Sequence, residues 1–441
     1  MIDFKKLEAA CKAAGISEVE VYRITAEGAS VSTFNGEVDQ NVVSLRDEVF
    51  VRGVFGGHIA SLYVENDCDG EIESIVCRIK ENAEVIESND PYFIFGGSKT
   101  YPTLPEEKND YDKWSQADRI ELCRTMEKRA REASEFVVST QAAVEVETET
   151  VTIENSSGLS VRRSGADAGV VCGAVIRKDG DVKQGYYFDH LKNLADVDYE
   201  KLCEKAVLRP ISSIGAKSIP SGKYPVVFEN TQFISLLGCF ASMFSADAVI
   251  KKLSLLDGKL GEKVFGDNIT LIDDPQHEKS YQRVTFDDEG VAAFPKTVVE
   301  GGVLKTYLHN LKTAKMLGAE STGNGFKESS GGIGVLPTNL CLKPSDTSFD
   351  DMISDIENGV LITQMMGQHA GVNPVSGAFN LQASGFRIVN GKVADPVTLI
   401  VVSGNIIEVL NSVECIANDF EIARRVGSAS VKIRELSISG Q

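Results

Sequence analysis

The sequence predicts an α+β protein: a helix–antiparallel sheet–helix unit used twice in the first half, followed by a mostly β C-terminal domain. Three observations carry this. Helical and strand periodicities recur in the same order on either side of a stretch punctuated by Pro91, Gly96, Gly97, Pro102 and Pro105. Asn35 with Gly53 and Asn155 with Gly173 repeat at one offset of about 120 residues. Beyond Leu260, strand and turn signals dominate, and glycine is dense from Gly302 to Gly404. Two unrelated α+β pieces remain the competing reading of the first half.

In order, Phe4 to Ala14 has helical spacing and Gly15 is a natural stop. Strands follow at Glu18–Ile24, Ala29–Phe34, Val42–Leu45, Val49–Val54 and, after Gly56-Gly57, Ile59–Val64. Glu71 to Ile86 is helical, with Ile72, Ile75, Val76, Ile79 and Ala83 on one face. The second series opens with a helix at Trp114–Ala133. Strands at Val137–Thr140, Ala143–Glu147, Thr150–Glu154, Gly158–Arg162, Gly169–Arg177 and Val182–Phe188 precede a helix at Tyr199–Leu208. The domains predicted are 1–90, 110–212 and 220–441, with a linker between the first two.

The last domain opens on NTQFISLLGCFASMF, Asn230 to Phe244. Asn230 or Thr231 is placed to cap a helix. Phe233, Leu236, Leu237, Phe240 and Phe244 then recur at helical steps, and Ile234, Cys239, Ala241 and Met243 fill much of the rest. A helix apolar nearly all round is a buried one. Its relief is a stripe of small residues, Ser235, Gly238, Ser242 and Ser245. Asp247 to Leu260 extends the helical character, and Asn390-Gly391 between apolar runs signals a hairpin.

Composition narrows the function. A net charge of −19 repels nucleic-acid phosphates and anionic membranes, so no direct nucleic-acid or membrane contact is expected. The charged start MIDFKK is unlike a secretory leader, and no apolar run reaches membrane-spanning length. The 9 cysteines are scattered, Cys68 among them, with no C-x-x-C pair. Reduced thiols and a cytoplasmic setting are expected.

Familiar catalytic motifs are missing. No H-E-x-x-H and no G-x-S-x-G occurs, and His58, His190, His277, His309 and His369 never share helical or strand spacing. Gly96-Gly97-Ser98-Lys99-Thr100 lacks the glycine spacing of a phosphate loop and reads as linker. Asp287-Asp288-Glu289 before Gly290 reads as a solvated acidic turn. The segment Gly359 to Phe386 does read as functional: an apolar strand enters a loop with Gly367, His369, Gly371, Asn373-Pro374 and Gly377, then a second strand. A purely structural loop is the even competitor.

Several motifs together resemble the TldD/PmbA family, whose PmbA-type members are also called TldE or modulators of DNA gyrase. They are S-T-G-N-G at Ser321–Gly325, G-x-N-P-x-S-G at Gly371–Gly377, A-S-G-F at Ala383–Phe386, A-x-P-V at Ala394–Val397 and S-G-N at Ser403–Asn405. The likeness runs the length of the chain and is most specific after Phe286. It implies a duplicated α+β half, a β-rich half, and a dimer enclosing a cleft.

TldD-type members carry H-E-x-x-x-H on the first helix of the second half, and a late C-G cysteine, as zinc ligands. Carried over, that motif falls on Leu237, Gly238, Cys239, Phe240, Ala241 and Ser242, and the late pair on Val426-Gly427. None of Leu237, Gly238 and Val426 has a metal-binding side chain, and Ser242 is a poor zinc ligand. The resemblance therefore implies a PmbA/TldE-type subunit, without catalytic residues or zinc of its own. It would handle unstructured peptides with a TldD-like partner, or as a homodimer. Asn324, Gly325, Gly367, His369, Asn373, Pro374, Ser384 and Gly385 are the candidates for peptide contact. Competing readings are an interaction protein of the gyrase-modulator type, and a self-sufficient hydrolase using His309, His369 or Cys415.

Overall fold

Five glycine-containing dipeptides set hairpins among the described residues. Asn35-Gly36, Gly56-Gly57, Asp179-Gly180, Gly301-Gly302 and Asn390-Gly391 each hold both residues at positive φ. A two-residue hairpin turn needs that backbone to match the twist of its strands, and glycine, asparagine and aspartate adopt it most readily. In the computed structural model, which describes residues 2–64, 69–87, 91–105, 108–328 and 332–441, every one of these turns joins adjacent antiparallel strands. Cys68 lies outside the described residues.

The described residues divide into two compact units. The first comprises Met1–Ile211, Thr285–Ala293 and Lys315–Ala319. Its first series is α1 (Phe4–Ala13), β1 (Glu18–Phe34), β2 (Glu37–Phe55), β3 (His58–Val64) and α2 (Ile72–Glu84). Its second is α3 (Gln116–Glu132), β4 (Val137–Asn155), β5 (Ser160–Lys178), β6 (Asp181–His190), α4 (Tyr199–Cys203) and, after one wider turn, α5 (Arg209–Ser212). The six strands form one antiparallel sheet in the order β3-β2-β1-β4-β5-β6. α1 and α2 bury Leu7, Cys11, Ile75 and Ile79 against its first half, and α3 buries Cys123, Met126 and Ala130 against its centre.

The repeat is visible in the central pairing. Glu20 stands opposite Asn155, and Asn35 donates its backbone N–H to Thr140. Both pairs obey the same offset, so β1 and β4 are related by a local two-fold. Asn155 donates its amide to Glu20, and Asn35 accepts the Thr140 N–H through its own amide oxygen at 3.0 Å. The glycine half of the expected repeat fails. Gly53 faces Val19 while Gly173 faces Gln141, two positions out of step, because the loop after Asn155 is longer than the Asn35-Gly36 turn.

Several short strands expected from the sequence are single long ones. Val42–Leu45 and Val49–Val54 both belong to β2, whose residues 37–47 are exposed on both faces and so carry no burial alternation to read. The stretch expected as a linker is tied down: Tyr101 donates to Gly290 O at 2.8 Å, and Ser98 Oγ accepts from Ala292 N at 3.0 Å. The acidic turn is not solvated as expected. Asp287, Asp288 and Glu289 are buried, Asp288 accepting from Tyr22 Oη at 2.9 Å and from Arg163 at 2.8 Å. A cation and a phenol offset the hydration that the Asp288 carboxylate loses.

The second unit, Ser212–Val284, Phe294–Ala314 and Glu320–Gln441, begins with β7 (Gly222–Phe228), α6 (Asn230–Cys239) and α7 (Ala246–Ile250). β8 (Leu271–Asp273), β9 (Lys296–Glu300), β10 (Val303–Leu304), α8 (Leu311–Leu317), β11 (Gly325–Lys327), β12 (Ile333–Val335), β13 (Leu340–Leu342) and α9 (Phe349–Ile353) follow. The chain continues with β14 (Asn358–Met366), α10 (Gln368–Gly371), β15 (Ala378–Val389), β16 (Lys392–Asn405) and α11 (Ile406–Asn411). It ends with β17 (Val413–Ile416), β18 (Glu421–Ala423), β19 (Val426–Ser428) and β20 (Val431–Ser439). One sheet runs β16-β15-β14-β7-β20-β17, and β16 also pairs with β20, so five of its strands close on themselves. A second runs β10-β9-β8-β13-β19-β18, and α6 packs on β14, β18 and β19, against both sheets. The eight described cysteines are all unpaired.

Two substitutions test these cores by urea denaturation. Leu237 is fully buried on α6, and Leu237→Ala is expected to destabilise by roughly 2–5 kcal/mol, the usual cost of a core cavity. Glu127 on α3 accepts hydrogen bonds from Thr33 Oγ1, Thr140 Oγ1 (2.5 Å) and Gly36 N (2.9 Å) at the Asn35 end of the β1–β4 pairing. Glu127→Ala orphans all three donors and is expected to cost roughly 2–4 kcal/mol, with Glu127→Gln milder because an amide oxygen still accepts.

Candidate functional site

α6 is shorter and less enclosed than the sequence predicts. It ends at Cys239, Phe240 turns out of the helix (φ −110, ψ 4), and Ala241–Phe244 continue as a single tighter turn. The helical extension expected over Asp247–Leu260 is the short α7 alone. Asn230 does not cap the helix. It is the first helical residue, its N–H is taken by Ser430 Oγ at 3.0 Å, and its side-chain amide donates to Asp419 O. A residue in the link between β19 and β20 thus satisfies a donor that a local cap usually takes.

Phe233, Leu236, Leu237, Phe240, Met243 and Phe244 are buried, whereas Gly238 and Ser242 are exposed and Ser235 is half-buried. The helix is dry on three sides and open on the fourth. Ser245, the last residue of the expected stripe, is buried. A Cβ placed on Gly238 would sit 3.8 Å from Val426 Cγ2 on β19. Gly238 and Val426, far apart in sequence, are therefore neighbours in this unit. Two amide side chains tie the helix to β14 and the loop after it. Gln232 Oε1 accepts from Met365 N at 2.9 Å, and Gln368 Nε2 donates to Ser235 Oγ at 3.3 Å and to Met365 O at 3.1 Å.

These bonds bring the loop between β14 and β15 against α6, with four of the expected contact residues on it. Gly367 has φ 87 and starts the one-turn α10. His369, Asn373 and Pro374 are exposed. Asn373 Oδ1 accepts from Val375 N and Ser376 N, which shapes the loop tip. Ser384 lies further along β15, donating to Gln364 Oε1 at 3.2 Å. Gly385 serves the sheet: a Cβ there would lie 1.9 Å from Leu361 O.

Asn324 and Gly325 are not on the surface; both are buried. Asn324 donates to Asp273 Oδ2 (2.8 Å) and Leu336 O (2.9 Å), and its oxygen accepts from Lys296 (3.0 Å) and Thr322 (2.7 Å). All four hydrogen-bonding positions of its side chain are occupied by protein. The same hub takes in His309, whose carbonyl accepts from Thr322 N and Asn324 N. Its imidazole is buried, which holds its pKa below the usual value. Cys415 is half-buried with its thiol toward Ile416 O. His309 is thus enclosed while His369 faces solvent. Among the described residues, no three His, Cys, Asp or Glu side chains converge as a metal-binding group.

One feature of the turn that leads into Val426 had no signal in the sequence. The β18–β19 hairpin has the same positive-φ turn as the other five, but its two residues are Arg424 (φ 48) and Arg425 (φ 69). A side chain with a Cβ pays about 1–2 kcal/mol there. Arg425 is pinned: its guanidinium lies 4.6 Å over the Phe326 ring and donates to Pro337 O at 3.1 Å, and its carbonyl accepts from Leu340 N. Arg424 is exposed, two residues from Val426.

Family comparison agrees with this architecture. Residues 221–440 match the PmbA/TldA metallopeptidase C-terminal domain and residues 109–213 the central domain of the same proteins. The fold is similar to a crystal structure described as a putative modulator of a DNA gyrase from Thermotoga maritima MSB8 (TM-score 0.90, 31% identity, 99% of each chain covered). It is also similar to TldE from Thermococcus kodakarensis (TM-score 0.87, 23% identity, covering 99% of this chain and 100% of that one), a likeness of fold. A metalloprotease PmbA homolog of Buchnera aphidicola is 28% identical over 325 residues, 73% of this chain and 70% of its own length. The chain spans about half the length of other curated relatives it matches, such as the archaeal metalloproteases. Matched domains over most of the chain, and a crystal structure covered end to end at 31% identity, make this chain a PmbA/TldE-type member of the PmbA/TldD metallopeptidase family.

Proposed function

We propose that this chain is the peptide-handling subunit of a TldD/PmbA-type peptidase pair, in which a TldD-like partner supplies the zinc and this chain shapes the cleft. The observation that carries it is the meeting of Gly238 with Val426. The family resemblance places the relatives' helix motif on Leu237–Ser242 and their late cysteine on Val426, and these two stretches are neighbours in space. What stands there is leucine, glycine, serine and valine, a set that fits an apolar, small-residue floor and not a zinc site. An extended peptide suits such a floor, since Gly238 and Ser242 present no bulk. Gln232 and Gln368 hold the His369 loop at its edge.

The test is to purify the chain alone and together with a TldD-like partner, and to measure zinc content and cleavage of unstructured peptides. The lone chain is expected to be inactive and free of stoichiometric zinc; activity with bound zinc would overturn the reading. Recovery of gyrase without a TldD-like partner in a pull-down would favour an interaction role instead. Within the pair, Gly238→Trp fills the floor, and is expected to lower peptide cleavage at least about tenfold in kcat/KM while leaving thermal stability unchanged or higher, because glycine is a poor helix former. Unchanged cleavage would place the peptide elsewhere.

A further inference from the structure

We propose that the Arg424-Arg425 turn is a carboxylate-binding site for peptide, with Arg424 the residue that binds and Arg425 the one that positions it. This rests on the peptide-handling reading above and adds a ligand chemistry to it. The fold itself does not ask for arginine. Five other hairpins in the same chain make the same two-residue turn with Asn-Gly, Asp-Gly or Gly-Gly, residues suited to positive φ. Here alone among these six turns both positions carry long side chains with a Cβ. A backbone strained by its own residue types points to what those residues add.

What arginine adds is a planar fork of N–H donors matched to a carboxylate. Arg425 has already committed its guanidinium to the Phe326 ring and Pro337 O, and this fixes the turn. Arg424 is exposed on that fixed turn, two residues before Val426, which neighbours Gly238. The surrounding charge matters too. A chain with a net charge of −19 repels carboxylates at long range, so holding one requires a local cation in a set position. The carboxylate is either the free C-terminus of a peptide or an Asp or Glu side chain within it.

The experiment is fluorescence anisotropy on the full-length chain with three labelled probes. All are short peptides of glycine, serine and alanine: one with a free C-terminus, one amidated, and one amidated with a single internal glutamate. The wild-type chain is expected to bind one of the two carboxylate probes about tenfold more tightly than the neutral one, and which of them it is identifies the carboxylate. Arg424→Gly is expected to lose that preference while its thermal unfolding midpoint holds or rises, because the strain is relieved. Arg424→Lys is expected to keep part of the preference. Equal binding of all three probes by the wild type, or a preference that survives Arg424→Gly, would overturn the inference. The second outcome leaves the peptide-handling reading standing, whereas failure to bind any probe would sink both.

Discussion

The second unit depends on keeping α6 dry. Phe233, Leu236, Leu237 and Phe240 are fully buried against strands of two different sheets, and no polar side chain of the helix interrupts that contact. Apolar burial of this extent is the largest favourable term available to the unit. It also dictates where the opening can be. With most of its side chains committed to packing, the exposed positions after its first turn are Gly238 and, just past its end, Ser242, and Val426 neighbours Gly238 because β19 is one of the strands on which α6 packs. This exposed strip is a consequence of the packing, and its chemistry is set by the small residues that occupy it.

The first unit is governed by a different constraint, the antiparallel pairing of β1 with β4 across a local two-fold. Asn35 and Asn155 occupy equivalent places, yet the groups around them have diverged: Glu20 pairs with Arg52 at 2.9 Å on one side, while Glu127 reaches in from α3 on the other. A repeat fixes the backbone pairing and leaves each buried polar group to find its own partner. The Asp288–Arg163–Tyr22 contact illustrates the same rule with a segment that comes from far along the chain.

In the second unit, polar groups that tie the fold together and polar groups left open are cleanly divided. Asn324, Asp273, Lys296 and the carbonyl of His309 are mutually bonded, so they tie β8 and β9 to the segment that enters β11. His369, Asn373 and Arg424 are exposed on a loop and a turn. On the function proposed above, binding chemistry belongs to the second group, since a side chain whose every donor and acceptor is occupied has nothing left for a ligand.

Local pattern made much of this legible. The turn dipeptides, the helical faces of α1, α2 and α3, the order of elements in the two series and the apolar helix after Asn230 all follow from residues within a few positions of each other. Motifs in the last third of the chain marked the His369 loop in the same way. What the sequence could not carry was anything decided by residues distant along the chain. It read Asp287–Glu289 as solvated because Arg163 and Tyr22 lie more than a hundred residues away, and it read Asn324 as a contact residue because Asp273 and Lys296 are equally invisible from its neighbours. It split β2 because a strand exposed on both faces shows no alternation. Short-range periodicity and backbone preference were enough to locate the turn dipeptides, the two series of helices and strands and the apolar helix after Asn230, though not to bound them: the helix expected over Asp247–Leu260 is the short α7. Tertiary packing alone leaves Gly238 and Ser242 exposed, with Val426 beside Gly238, because burial is a property of what packs on a residue and not of the residue.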